Sequence, residues 1–273
     1  MSALANITGI LLPLLYGGAL AAYAVAFFGP EGAGRNRVQR PMLVLSLLAH
    51  ALLIYAETRL RGHCLVYTPV EMLTLVAFTV TLTYTILETV TGERGTGMFF
   101  LALALLLQLG FAIGTSGPKM IDPDPQLLKY MVGLHISGAI IGYTAFAVGA
   151  VYGVLYLLMY RKIRTSEFGP FFRRLPSLQL MERLSAIAST VGVVFLGAAI
   201  VLGLFVLPRI LPEFGHGDPK LVVTIAVWGV YVAALLARAL LRMDGRRTVL
   251  LSLAGFAGAT LSMTIINMVA GGR

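Results

Sequence analysis

Four histidines are the side chains of this sequence best suited to bind a metal, and two of them lie inside long apolar stretches. His50 occurs in "LLAHALLIYAE" and His135 in "MVGLHISGAIIGY". A polar group inside an apolar segment is costly in a membrane and usually has a function. With a helical rise of 1.5 Å per residue, His50 is roughly 15 Å from Pro41 and His135 roughly 10 Å from Lys129. Two imidazoles at similar depth on different helices can bind the two faces of one heme iron.

Other interpretations of the histidines stay open at this point. Each buried histidine could instead hydrogen-bond a neighbouring helix. His63 and His216 lie in predicted outer loops, where they are weaker ligand candidates and where a solvated histidine is ordinary. A zinc site is not indicated, because no histidines, carboxylates or cysteines have local ligand spacing. The one cysteine, Cys64, excludes an intramolecular disulfide and a CxxC centre.

Four basic residues at predicted outer helix ends are suited to contact heme propionates. They are Arg59, Arg61, Lys129 and Lys220. For each of them the alternative is that the aliphatic stem lies in the membrane while the charge reaches the interface.

Composition places these residues in a membrane protein. Of 273 residues, 58% are hydrophobic and only 12% are charged, and the mean hydropathy is +0.87. A soluble domain of this length cannot bury so much apolar surface. The net charge of +9 comes from residues scattered through short loops, which is typical of basic loops on one side of a membrane. We therefore expect contact with membrane lipid and no nucleic-acid binding.

The apolar stretches predict an all-α, polytopic protein with about eight transmembrane helices. Open sheet edges are disfavoured in hydrocarbon, which argues against strands. The predicted spans are 4–28, 41–60, 69–90, 96–114, 131–160, 184–208, 221–242 and 248–270, separated by Gly-, Pro- and Arg-rich breakers. Most lysines and arginines fall in the odd-numbered loops, so the positive-inside rule places both termini outside. We interpret residues 1–273 as a single transmembrane helical domain.

The stretch "GHGDPKLVVTIAVWGVY" at 215–231 contains the only tryptophan. Asp218 is a good N-cap and Pro219 suits the first helical position. The wider pattern resembles the cytochrome c assembly family, the CcsA and CcmC group of heme-handling membrane proteins. The matching positions are Asp218, Pro219, Lys220, Trp228, Tyr231, Arg238, Asn267 and His135.

Further segments, "RLPSLQLMERL" and "YTPVEMLTLVAF" with Glu71, are similar to the HemX and YpjD branch of that family. The family's tryptophan-rich outer segment is missing, since "PEFGHG" stands in its place. Leu236 replaces the histidine of the family's L-H-x-R pattern.

The resemblance implies a heme-binding protein of HemX type in the bacterial inner (cytoplasmic) membrane, with a role in heme homeostasis. It implies heme b as cofactor, Trp228 as a residue of the heme site, and control of heme synthesis through glutamyl-tRNA reductase. The basic and aromatic inner segment "RKIRTSEFGPFFRRLPSLQLMERL" is the natural contact for such a partner.

Other functions remain open. One is cytochrome c biogenesis, with heme delivered by a CcsA-type factor that works with an assembly partner. A second is a small-molecule transporter, and a third is a structural membrane subunit without cofactor. We expect no enzyme, because the sequence has no local nucleophile–histidine pair and no phosphate-binding loop.

Overall fold

The computed structural model describes residues 3–29, 37–61, 69–113, 126–166, 169, 173–205, 219–241 and 243–271. Within these ranges the chain forms eight long helices and no strand, as predicted. They are α1 (Ala3–Phe28), α2 (Gln39–Arg61), α3 (Pro69–Thr91), α4 (Gly97–Ile113), α5 (Gln126–Arg164), α6 (Leu178–Phe205), α7 (Pro219–Leu241) and α8 (Gly245–Gly271).

Among the residues described, six helices are long and apolar enough to cross a membrane. The segments are Ile10–Phe28, Gln39–Arg59, Met72–Thr91, Met131–Arg164, Leu178–Phe205 and Leu221–Leu241, and a shorter apolar helix covers Gly97–Ala112. The chain is therefore a multi-pass membrane protein. The placement of both termini outside stays a prediction.

The helices group into two compact units. Unit 1 comprises Met1–Lys119 and Lys162–Pro176, and unit 2 comprises Met120–Arg161 and Ser177–Arg273. Both units belong to the region predicted as one domain, and that single domain stays a prediction.

Unit 1 contains α1 to α4, with α1 packed against α2 and α4, and α3 packed against the same two helices. One face of α1 carries Leu12, Tyr16, Ala19 and Tyr23, all buried. Their spacing of three and four residues places them on one side of the helix. The phenol rings of Tyr23 and Tyr84 meet edge to face with centroids 5.9 Å apart.

Unit 2 is built on α5 to α8, with α6 packed against α7 and α8, and α7 against α8. One cluster of its buried core consists of Phe146, Leu196, Ile200, Val227 and Tyr231. The rings of Phe146 and Tyr231 stack with centroids 3.7 Å apart.

Glycines allow α5 to approach its neighbours closely. A Cβ at Gly142 would lie 2.9 Å from the backbone nitrogen of Leu196, and one at Gly153 would lie 3.1 Å from a methyl carbon of Val249. The small-residue spacing of Gly138, Gly142, Gly149 and Gly153 therefore serves helix packing, as the sequence indicated.

Candidate functional site

His50 lies near the middle of α2, fully buried in unit 1, and both of its ring nitrogens are hydrogen-bonded. Its Nδ1 is 2.8 Å from the Tyr16 hydroxyl, and its Nε2 is 2.9 Å from Oγ1 of Thr74. The Thr74 hydroxyl donates to Oε1 of Gln108 over 2.9 Å. These four buried side chains come from α1, α2, α3 and α4, so one polar chain links all four helices of the unit.

The direction of this chain fixes the tautomer of His50. Because the Thr74 proton goes to Gln108, Thr74 Oγ1 must accept from a protonated Nε2 of His50. Nδ1 then accepts the Tyr16 proton. Among the described residues, neither imidazole nitrogen is left to donate a lone pair to a metal without breaking a bond.

A narrow cavity adjoins this chain. It is lined by His50, Glu57 and Thr74 together with Leu12, Leu53, Ile54 and Phe111, and it has room for about one water molecule. Glu57 is only 2% exposed and lies two helical turns from His50. The cavity thus has three polar residues in a mostly apolar lining and is too small for a porphyrin ring.

A second polar cluster lies nearer the other end of the same four helices. Glu88 is buried, and its Oε2 accepts from the Tyr23 hydroxyl over 2.5 Å. Its Oε1 pairs with Nε of Arg94 at 3.2 Å. A carboxylate buried in an apolar bundle needs such partners, because an unpaired charge there is strongly destabilising.

His135 lies in α5 of unit 2 and is bonded differently. Its Nδ1 is 2.8 Å from the backbone carbonyl of Ala199. Since a carbonyl can only accept, Nδ1 carries the proton, and the neutral ring then holds its lone pair on Nε2. Metal-ligating histidines commonly have this arrangement, with one ring nitrogen held by a carbonyl and the other facing the metal.

Trp228, on α7, is fixed in the same unit. Its indole Nε1–H donates to the Val193 carbonyl over 2.9 Å, so the indole offers a ligand a ring face and no hydrogen bond. Nearby on α5 and α7, the Tyr143 hydroxyl lies 3.4 Å from Oγ1 of Thr224. Of the heme ligands predicted from the sequence, His135 is the one described in unit 2, and its Nε2 is available to a metal.

The remaining predicted site residues are only partly described. Arg59 is exposed on α2. Arg61, Lys129 and Lys220 are in α2, α5 and α7, but their side chains lie outside the described part of the structure. His63 and His216 also lie outside the described residues. Their contacts with a cofactor stay predictions, as does the joint ligation of one iron by His50 and His135, which belong to different units.

Arg238, the arginine that matched the family pattern, makes an ion pair. Its Nη2 lies 3.0 Å from Oε1 of Glu182, which joins α7 to the start of α6. A Cβ at Gly245 would overlap the same carboxylate. In this structure Arg238 therefore connects helices of unit 2.

Sequence reasoning missed the polar chain of unit 1. Glu57 and Glu88 gave a usable signal, because acidic residues inside apolar spans are rare and usually paired. Tyr16 and Thr74 gave none, since tyrosine and threonine are common in such helices. Gln108 is a polar residue in an apolar run, but its partner Thr74 is on another helix. In the residues that the structure describes, no cluster of three or more His, Cys, Asp or Glu side chains forms a metal site.

Comparisons of this chain with a family model and with known proteins agree with one another. A family model described as Cytochrome C assembly protein matches residues 62–272. The Protein HemX of Bacillus subtilis (strain 168) is 25% identical over 131 residues, which is 48% of each chain. That of Brevibacillus brevis is 30% identical over 97 residues, or 36% of each chain.

The matched parts thus span about half or less of the two HemX proteins. The Cytochrome c biogenesis protein CcsA of Synechococcus sp. (strain CC9902) is 25% identical over 280 residues, covering 92% of this chain and 90% of that protein.

Proposed function

The chain belongs to the cytochrome c assembly protein family, and from this premise we propose that it is a heme b-binding membrane protein of HemX type that acts in heme homeostasis. The observation that carries the proposal is the hydrogen bond from Nδ1–H of His135 to the Ala199 carbonyl. It leaves the Nε2 lone pair as the donor that an axial heme ligand requires.

The residues of unit 2 fit a heme better than those of unit 1 do. His135 is half-buried, and among the described residues its Nε2 makes no hydrogen bond. Bound heme would supply an iron centre, and His135 would hold it through Nε2. Ligation by His50 would require the loss of its bond to Tyr16 or to Thr74, so we assign His50 to helix packing and His135 to the iron.

Hemin titration of the detergent-purified protein tests this assignment. Wild-type protein should give a histidine-ligated heme spectrum, oxidised and reduced. His135→Ala should lose that spectrum or weaken binding by at least about 100-fold, because loss of a group that only orients a metal ligand already costs about 10–100-fold. His50→Ala should keep it while unfolding more easily. A wild-type protein that takes up no hemin would overturn the proposal, and a spectrum lost only in His50→Ala would reverse the assignment.

For the partner, we place control of glutamyl-tRNA reductase on the basic inner segment around residues 161–184. Arg164 and Arg173 are exposed there, whereas Arg174 donates to the carbonyls of Ala26, Phe27 and Gly29 and must be kept. Exposed cations suit an acidic partner surface and attract it at low salt.

Coprecipitation tests the partner. Glutamyl-tRNA reductase should be captured by the wild type and lost with Arg164→Gln/Arg173→Gln. The control Arg247→Gln, exposed at the start of α8, should still capture it. Capture by the double variant at the wild-type level, or by none of the three proteins, would remove this role.

Cytochrome c biogenesis is the second candidate, favoured by the alignment with the CcsA protein over 92% of the chain. It requires that bound heme be handed to an apocytochrome. Purified heme-loaded protein mixed with apocytochrome c separates the two roles, because a HemX-type protein should retain its heme whereas a delivery factor should transfer it.

A further inference from the structure

Three interhelical hydrogen bonds of unit 2 end on a backbone carbonyl in the middle of a helix. Ser185 Oγ donates to the Gly149 carbonyl over 2.9 Å. Trp228 Nε1 donates to that of Val193, and His135 Nδ1 to that of Ala199. In each case the residue four positions further along the accepting helix is glycine, namely Gly153, Gly197 and Gly203.

Helix geometry explains this spacing at Gly197 and Gly203, whereas a Cβ at Gly153 would first meet Val249 and Leu253. Each helical side chain points toward the N-terminus and covers the turn before its own Cα. The side chain at position i+4 therefore covers the carbonyl of residue i. That carbonyl already accepts from the N–H of residue i+4, but its second lone pair stays available. With glycine at i+4, a donor from another helix can reach it.

The contacts at two of these glycines are with the donor rings themselves. A Cβ at Gly197 would lie 3.0 Å from Nε1 of Trp228. A Cβ at Gly203 would lie 3.0 Å from Cε1 and 3.4 Å from Nδ1 of His135. Both positions on α6 thus accept a ring only because they lack a side chain.

We propose that Gly203 is a positioning residue for heme ligation: it uncovers the Ala199 carbonyl, which holds the His135 ring with its proton on Nδ1 and its lone pair on Nε2. This inference rests on the proposed function for the identity of the ligand. The placement of the ring and its tautomer are properties of the protein without heme, and they can be measured separately.

A substitution at Gly203 should alter the position and tautomer of the His135 ring more than it alters the fold. A β-branched side chain would occupy the place of the imidazole edge, so Nδ1 would lose its carbonyl acceptor and the ring would sample the other tautomer. Loss of the group that orients a metal-ligating histidine typically costs about 10–100-fold in metal affinity.

The test compares Gly203→Val with a matched control, Gly133→Val. Gly133 is on α5 two residues before His135, and a Cβ there meets nothing within 4 Å. Long-range ¹H–¹⁵N correlation of ¹⁵N-histidine-labelled, heme-free protein reports the tautomer, with the His135 signals assigned by their loss in His135→Gln. Hemin titration follows on the same samples, and Gly203→Ala is a milder variant if Gly203→Val fails to fold.

Wild type and Gly133→Val should show the Nδ1–H tautomer and equal hemin affinity. Gly203→Val should show a mixed or reversed tautomer and bind hemin at least about tenfold more weakly. An unchanged tautomer in both Gly203 variants would overturn the inference. If the wild type bound no hemin, the proposed function would fail, while the tautomer of the heme-free protein would still decide the role of Gly203.

Discussion

The two units of this protein hold their membrane histidines by different means. In unit 1, His50 bonds to other side chains: Tyr16, His50, Thr74 and Gln108 form a polar chain that passes through four helices. In unit 2, small residues bring backbones together, and hydroxyl and ring donors bond to uncovered carbonyls.

The difference matters for the two histidines that lie within membrane-spanning helices. In a chain of side chains, each inner member both donates and accepts, so His50 uses both nitrogens. A backbone carbonyl can only accept, so it binds one nitrogen of His135 and leaves the other with its lone pair. These different surroundings support the proposal that His50 is structural and that His135 is the heme ligand.

The largest effect is expected where unit 1 buries a charge. Glu88→Ala removes the carboxylate that Tyr23 and Arg94 share, and we expect a loss of about 3 kcal/mol in the free energy of unfolding in detergent. Glu93→Ala, at an exposed position nearby, should change it by less than about 0.5 kcal/mol. Equal effects of the two substitutions would show that the buried cluster does not stabilise unit 1.

In unit 2 the next-largest effect is expected when one carbon is added to a glycine at a close helix contact. Gly142→Ala gains up to about 1 kcal/mol in helix propensity. Its Cβ, however, would lie 2.9 Å from the Leu196 backbone nitrogen, and overpacking costs about 1–3 kcal/mol. We expect net destabilisation of about 1–2 kcal/mol by thermal unfolding. Gly133→Ala, which meets no neighbour, should not destabilise, and a stabilised Gly142→Ala would contradict this account of the packing.

A smaller loss of stability is expected when the polar chain of unit 1 loses the hydrogen bond at its Tyr16 end. Tyr16→Phe leaves Nδ1 of His50 without its donor, which should cost about 1 kcal/mol. Hemin affinity should stay at the wild-type value, because the change is confined to unit 1. Weaker hemin binding by Tyr16→Phe would break the division of roles between the two histidines.

The smallest effect is expected for Ser185→Ala in unit 2. The Gly149 carbonyl still accepts its helical hydrogen bond when the hydroxyl is gone, so no polar group is left unpaired. We expect a loss of about 0.5 kcal/mol, less than for Tyr16→Phe in the same assay. If Ser185→Ala cost more stability than Tyr16→Phe, hydrogen bonds to uncovered carbonyls would stabilise the helices more than the polar chain of unit 1 does.

Most of the fold could be predicted from the sequence because lipid restricts the alternatives. The start of α7 at Pro219 follows from proline at the first helical position. The boundaries of α5 were less accurate. The helix ends at Arg164 and not at 160, because lysine and arginine end an apolar run but favour helix. The division into two units had no sequence signal, since contacts between distant helices determine it.

The candidate site was only partly predictable. His50 and His135 look equivalent in sequence, each a lone histidine in an apolar run. Their difference depends on Tyr16 and Thr74 in one case and on the Ala199 carbonyl in the other. A bond to a backbone carbonyl depends on which residue covers that carbonyl. Gly203 is the sequence feature that indicates an accessible Ala199 carbonyl. It can be interpreted only when the packing of α5 against α6 is known.

Arg174 also has a consequence for the order in which the chain is made. Its guanidinium donates to the carbonyls of Ala26, Phe27 and Gly29. The end of α1 therefore gains these hydrogen bonds only after a residue almost 150 positions later has been translated. The ribosome must therefore release all of α5 before unit 1 can be completed. During that interval the carbonyls at the end of α1 lack the guanidinium that binds them in the folded protein.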